Sequence, residues 1–314
     1  LFMHPSSTLN LMPMPAGMAR AGYHVMCCAS RYAKNDSALI MEKVALDMGA
    51  YVRFAKEEMG YKDVVLVGWS GGGSLSLFYQ SQAENPTITQ TPAGDPVDLT
   101  SANLIPVDGT MFVAAHISRA KTLTEWMDPS VLDETRPDDR VLDLDLYNPD
   151  NPNQPAYEAA FLDRYRAAQI DRNRRITAWV RNMLDELGRR SDGETERGFV
   201  VHRTMADPRW LDPLVDPNDR RPGWCFLGEP RTVNVGPVGL ARFCTLRSWL
   251  SQWSYDESRA DGPDCAKGIS VPFLSVINSA DDAAPANHTT LIHQSAASAD
   301  KTSITIKGAN HYYK

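Results

Sequence analysis

The chain has 314 residues, of which 43% are hydrophobic and 23% charged, enough for one large or two ordinary domains. A net charge of −7 and a pI near 5.5 argue against nucleic acid or an anionic membrane surface as a partner. No uninterrupted apolar run is long enough to cross a bilayer.

Five cysteines, an odd number without metal-type spacing, favour a reducing, cytoplasmic compartment and suggest no metal or other cofactor. The opening LFMHP, Leu1 to Pro5, reads as the end of a buried strand. The natural start is therefore expected upstream of Leu1, and a removed leader stays open. NLMPMPAGMARAGY reads as a short irregular helix ended by Gly22. HVMCCAS reads as a second strand, with Cys27 and Cys28 as small buried core residues. From Leu39 to Met59 apolar side chains recur at helical spacing (Ile40, Val44, Met48, Val52, Ala55, Met59), and Gly60 stands where a helix stops.

Val64 to Val67 form an apolar run that ends in Gly-Trp-Ser-Gly-Gly-Gly, after which Leu75, Leu77 and Phe78 resume a helical pattern. GTMFVAAHIS is a further strand. Strands alternating with helices of this length predict a parallel sheet covered on both faces. From about Ser118 to Lys267 the alternation breaks. One helix is predicted with Ile176, Trp179, Val180, Met183, Leu184 and Leu187 on one face, and a second carrying Leu240, Phe243, Cys244, Leu246, Trp249, Leu250 and Trp253. Alternation returns with VPFLSVI as strand, NHTTLIHQSAAS as helix and TSITIKG as strand. The expected organisation is an α/β core, residues 1–117 and 268–314, interrupted by a helical cap or lid at 118–267.

Gly68, Ser70 and Gly72 form G-x-S-x-G between a strand and a helix. A tight elbow there exposes the serine, and the glycines let backbone approach without Cβ clashes. The helix N-terminus then aims free N–H groups at negative charge forming beside the hydroxyl. A phosphate-binding loop would carry Lys-Ser/Thr after its glycines, and GGGSLSL does not.

On these residues the chain resembles the α/β-hydrolase superfamily, over the segments at both ends and not the middle. The resemblance implies a nucleophile, an acid and a histidine in that order. It implies Ser70 as nucleophile and Asp281, in SVINSADDAAP, as acid, with Asp282 the rival one residue away. Asn278 stands where the family commonly has glycine, and Pro285 closes the pattern. His311, after the last strand, takes the position of general base. His4-Pro5-Ser6 stands where many members have His-Gly-x, so the oxyanion hole is expected from the N–H groups of Gly71 and Ser6, with His4 a structural hydrogen-bonder. Pro5 has no N–H to give.

The function implied is hydrolysis of a carboxylic ester on a small molecule through an acyl-enzyme. Amide or thioester hydrolysis, acyl transfer, and ligand binding without catalysis stay open on the same scaffold. Trp69 and Tyr312 flank the implied nucleophile and base and are expected to touch substrate. The six tryptophans of the middle segment are read mainly as its own core, and the arginines between Arg164 and Arg175 as a solvated helix face paired with acids.

Overall fold

The structure is a computed structural model and describes residues 1–237 and 239–313. In chain order come β1 (Phe2–His4), α1 (Pro13–Arg20), β2 (Cys27–Ala29), α2 (Met41–Arg53, continued by a wider turn Phe54–Glu58), β3 (Val65–Ser70), α3 (Gly71–Glu84) and β4 (Gly109–Ala115). Then follow α4 (Arg119–Trp126), α5 (Ala159–Arg189), β5 (Gly198–Val200), α6 (Pro208–Leu211), α7 (Pro230–Val235), β6 (Phe243–Thr245), α8 (Leu246–Ser248, continued by a wide turn Trp249–Trp253) and α9 (Gly262–Ala266). β7 (Phe273–Asn278), α10 (Ala286–Ser295) and β8 (Lys301–Ile306) complete the chain.

Six strands form one sheet in the order β2-β1-β3-β4-β7-β8, and every neighbouring pair is parallel. Alternate side chains of each strand point to opposite faces. Met3, Leu66 and Phe112 enter one core with Val44, Met48, Phe78 and Ile292 from α2, α3 and α10. Phe2, Val67, Val113 and Val276 enter another with Leu9, and Met14 and Met18 of α1 pack against it. This two-sided burial is why the inner strands β1, β3, β4 and β7 read as near-continuous apolar runs, whereas the edge strand β8 is exposed throughout. The chain leaves β1 toward β2 on one side and reaches β3 on the other. A crevice therefore opens at the carboxyl ends of β1 and β3, where His4 and Ser70 stand.

Between β4 and β7 the chain builds a separate core. Trp126, Ile176, Val180, Trp210, Trp249, Leu250 and Trp253 are buried together there, and the Trp249 and Trp253 rings stack at 5.2 Å. Trp179 is exposed, and Trp224 lies under the Arg221 guanidinium. Along α5, Arg164 pairs with Asp143, Arg166 with Asp207, Arg172 with Glu134 and Arg174 with Asp256.

Two expectations need correction. The predicted helix over Leu240 to Trp253 begins only at Leu246; Phe243–Thr245 is a strand paired antiparallel with Gly198–Val200. The Phe243 ring lies over Gly198, where any Cβ would collide with it, so a cross-strand fit overrides the helical spacing. Cys27 is exposed while Cys28 is buried, because β2 is an edge strand whose alternate side chains leave the core.

Candidate active site

Ser70 ends β3 and is the residue from which α3 starts, at φ 54° and ψ −127°. A side chain rarely adopts that backbone, and it is held by close packing. A Cβ on Gly72 would strike the Met3 carbonyl oxygen, and one on Gly68 would strike the Gly72 backbone. The elbow therefore folds this tightly only with glycine at both positions.

Asp281 lies in the turn after β7 and His311 in the turn after β8. The His311 Nε2 is 3.1 Å from Ser70 Oγ, and its Nδ1 is 3.0 and 3.2 Å from the two Asp281 carboxylate oxygens. Asp281 Oδ1 also accepts the N–H groups of Ala283 and Ala284, each at 2.8 Å, which fixes the carboxylate's orientation. Asp281 and His311 are buried and Ser70 is 9% exposed. Hydrogen bonds of this kind inside a low-dielectric site are stronger than in water.

Residues around this chain hold its backbone. The Trp69 indole N–H donates to the His311 carbonyl at 2.8 Å, and Asn278 Nδ2 donates to the Asn310 carbonyl at 2.7 Å. The Asn that stands in place of glycine thus ties the acid loop to the histidine loop. From the middle segment, Asn218 Nδ2 donates to the Asp281 carbonyl and the Trp210 indole to the Asp282 carbonyl, both at 2.9 Å. Asp282 takes the His311 backbone N–H but makes no bond to its imidazole, and one of its carboxylate oxygens is buried without a partner. Burial, and then the neighbouring Asp281 charge, push its pKa up.

A parallel sheet thus carries a serine on the strand-to-helix turn at its switch point, with a carboxylate after β7 and an imidazole after β8. The fold is that of the α/β hydrolases. Among solved structures this chain is similar to a monoacylglycerol lipase from Paleococcus ferrophilus, at 15% identity over 99% of this chain and 85% of that one, with a TM-score of 0.39. It is also similar to the α/β hydrolase GrgF from Penicillium sp. sh18, at 13% identity over 99% and 81%, with a TM-score of 0.49. A third likeness is to one of two metagenome-derived lipolytic enzymes, LipS and LipT, at 12% identity over 99% and 85%, with a TM-score of 0.43. No protein-family model matches the chain, and no curated protein does.

In this α/β-hydrolase fold the Ser6 N–H does not stand free. It donates to His4 Nδ1 at 3.1 Å, and the Ser7 N–H donates to the same nitrogen at 2.9 Å. The loop that follows Pro5 thus turns back onto the His4 imidazole. The Gly71 N–H is among the first donors of α3, which have no partner within the helix. Tyr312 packs on Trp69 and His311, with ring centroids 5.6 and 5.3 Å away.

Several residues near the site escape a reading of the sequence. Phe226, from the middle segment, sets its ring edge-on to His311 at 5.7 Å and covers it. His116, just past β4, is buried with Nδ1 unpartnered beside Trp126. Burial, then the nearby His288, His311, His4 and Arg119, hold it neutral. His288 accepts the Ile117 N–H through Nδ1 and faces Glu125 through Nε2 at 3.4 Å. Loop contacts between segments as much as 171 residues apart leave no local pattern. Among the described residues no group of three or more His, Cys, Asp or Glu is placed to hold a metal ion, and no described helix is long and apolar enough to cross a membrane.

Proposed function

We propose that the protein is a serine hydrolase that cleaves a carboxylic ester of a small molecule. The observation that carries the reading is the continuous chain Ser70 Oγ–His311–Asp281, buried at the end of the sheet. A serine hydroxyl is a weak nucleophile at neutral pH and needs a base within hydrogen-bond reach. As Ser70 Oγ bonds to the acyl carbon, His311 Nε2 takes its proton and the carbonyl π pair moves onto oxygen. Asp281 keeps His311 in the tautomer whose Nε2 is free to accept, and stabilises the imidazolium. The Gly71 N–H, at the positive end of the 14-residue α3, faces the oxygen that becomes negative. His311 then returns the proton to the leaving alcohol, and water releases the acyl group by the same steps reversed.

Residues 118–267 act as a cap in this reading. Phe226 over His311, and Asn218 and Trp210 on the acid loop, support it. Trp69 serves mainly to position the His311 backbone, and Tyr312 is the nearer candidate for substrate contact. Five free thiols are in keeping with a reducing compartment. The test is hydrolysis of p-nitrophenyl esters of graded acyl length. Ser70→Ala should remove turnover while leaving the fold intact. Undiminished turnover in that variant would overturn the proposal, and products formed with competing alcohols or amines would reveal acyl transfer.

A further inference from the structure

His4 accepts two backbone N–H groups at Nδ1, from Ser6 and Ser7. A nitrogen that accepts two hydrogen bonds carries no proton, so a neutral ring has its one N–H at Nε2. Burial, with Arg119 and His311 nearby, lowers the His4 imidazole to about 3, so the ring is neutral at any working pH. The Nε2–H itself meets no acceptor among the described residues. Nε2 lies against the backbone just past the nucleophile: a Cβ on Gly71 would stand 3.0 Å from it. Trp69 packs against the ring, at 5.9 Å between centroids.

Resting on the serine-hydrolase reading, we propose that His4 donates from Nε2 to the developing oxyanion, beside the Gly71 N–H. The side chain thereby takes over the role that Ser6 N–H cannot fill while it is bonded to Nδ1. Glycine at 71 leaves the imidazole room here, since a Cβ would press on it at 3.0 Å. His4 does two jobs from its two nitrogens: one gathers the loop that follows β1, the other meets charge that exists only in the transition state. A neutral imidazole suits the second job, because it offers a strong donor without a charge that would bind the ground state or perturb His311.

The variant that separates the two jobs is His4→Asn. Its side-chain oxygen can take the Ser6 and Ser7 N–H bonds in place of Nδ1, and nothing occupies the Nε2 position. The expected result is a folded protein whose kcat on p-nitrophenyl esters falls about 10²–10³-fold with KM changed only slightly. Its preference for an oxygen ester over the matching thionoester, whose sulfur accepts hydrogen bonds poorly, should fall by a similar factor. A folded variant with kcat within about threefold of the parent, or with that preference unchanged, would overturn the proposal. Should His4→Asn fail to fold, the unmodified protein with ¹⁵N-labelled histidine decides the matter. Addition of a trifluoromethyl ketone to Ser70 should move the His4 Hε2 resonance downfield, and an unmoved resonance overturns the proposal. Turnover that needs Ser70 but ignores His4→Asn removes this inference alone. A parent protein with neither turnover nor a Ser70 adduct removes the hydrolase reading with it.

Discussion

Ser70 is held at φ 54° and ψ −127°, and relieving that backbone should stabilise the protein while destroying the site. An L-residue in such a region costs roughly 2–3 kcal/mol, most of which glycine avoids. Against that, glycine adds about 0.4–1 kcal/mol of conformational freedom to the unfolded chain. Ser70→Ala and Ser70→Gly both lose the hydroxyl and its bond to His311, so their difference isolates the backbone. The glycine variant should therefore be the more stable by about 1–2 kcal/mol. With 314 residues and an unfolding entropy of roughly 2.1 cal/mol/K per residue, each kcal/mol moves the melting temperature by about 1.5 °C. Calorimetry should then find Ser70→Gly melting about 1.5–3 °C above Ser70→Ala, with a parallel change in the urea midpoint. A glycine variant that melts at or below the alanine variant would refute the idea that the elbow stores strain.

Gly72→Ala should destabilise by about 3 kcal/mol, because the new methyl meets the Met3 carbonyl in the middle of the sheet; a urea titration within 1 kcal/mol of the parent would refute the packing argument. Asp281→Asn should lower kcat about 10⁴-fold, by losing the carboxylate that orients His311, whereas Asp282→Asn should leave ester turnover nearly intact. Asp282→Asn should also melt higher than the parent at pH 8 and lose that advantage at pH 4. Burial and Asp281 raise the Asp282 pKa, so the wild-type carboxyl's contribution is full below about pH 3.9 and is lost as pH rises through its folded value. His4, lowered to about 3 by burial, takes up a proton when the chain unfolds between its folded value and about pH 6.5. Its contribution is full above that window and falls by about 1.4 kcal/mol per pH unit within it. Urea midpoints from pH 7.5 down to 4.5 should decline less steeply in His4→Asn than in the parent, and equal slopes would contradict the neutral buried ring.

The centre of the sheet is legible in the sequence because its inner strands are buried on both faces, so Val64 to Val67 and VPFLSVI stand out as apolar runs. Ser70, Asp281 and His311 are legible as a set because each follows a strand, though β8 before His311 is an exposed edge strand, and strand ends of a parallel sheet gather at one edge. What surrounds them is not. Phe243 and Cys244 fall at helical spacing with Leu246 and Trp249, yet the partner strand that pairs with them, through Val200 and Phe199, is remote in sequence. The loop after β1 is misread at Ser6 because a backbone N–H leaves no mark in the sequence of what it bonds to. Phe226, Asn218 and Trp210 reach the site across folded distance, from a segment without alternation to place them.

The most direct test is to treat the protein with a fluorophosphonate and locate the adduct by peptide mass spectrometry. The account predicts one phosphonyl group per chain, carried on the hydroxyl that follows Trp69 and formed far more slowly once the His311 imidazole is replaced by alanine. Labelling on another residue, or labelling indifferent to that imidazole, would contradict it.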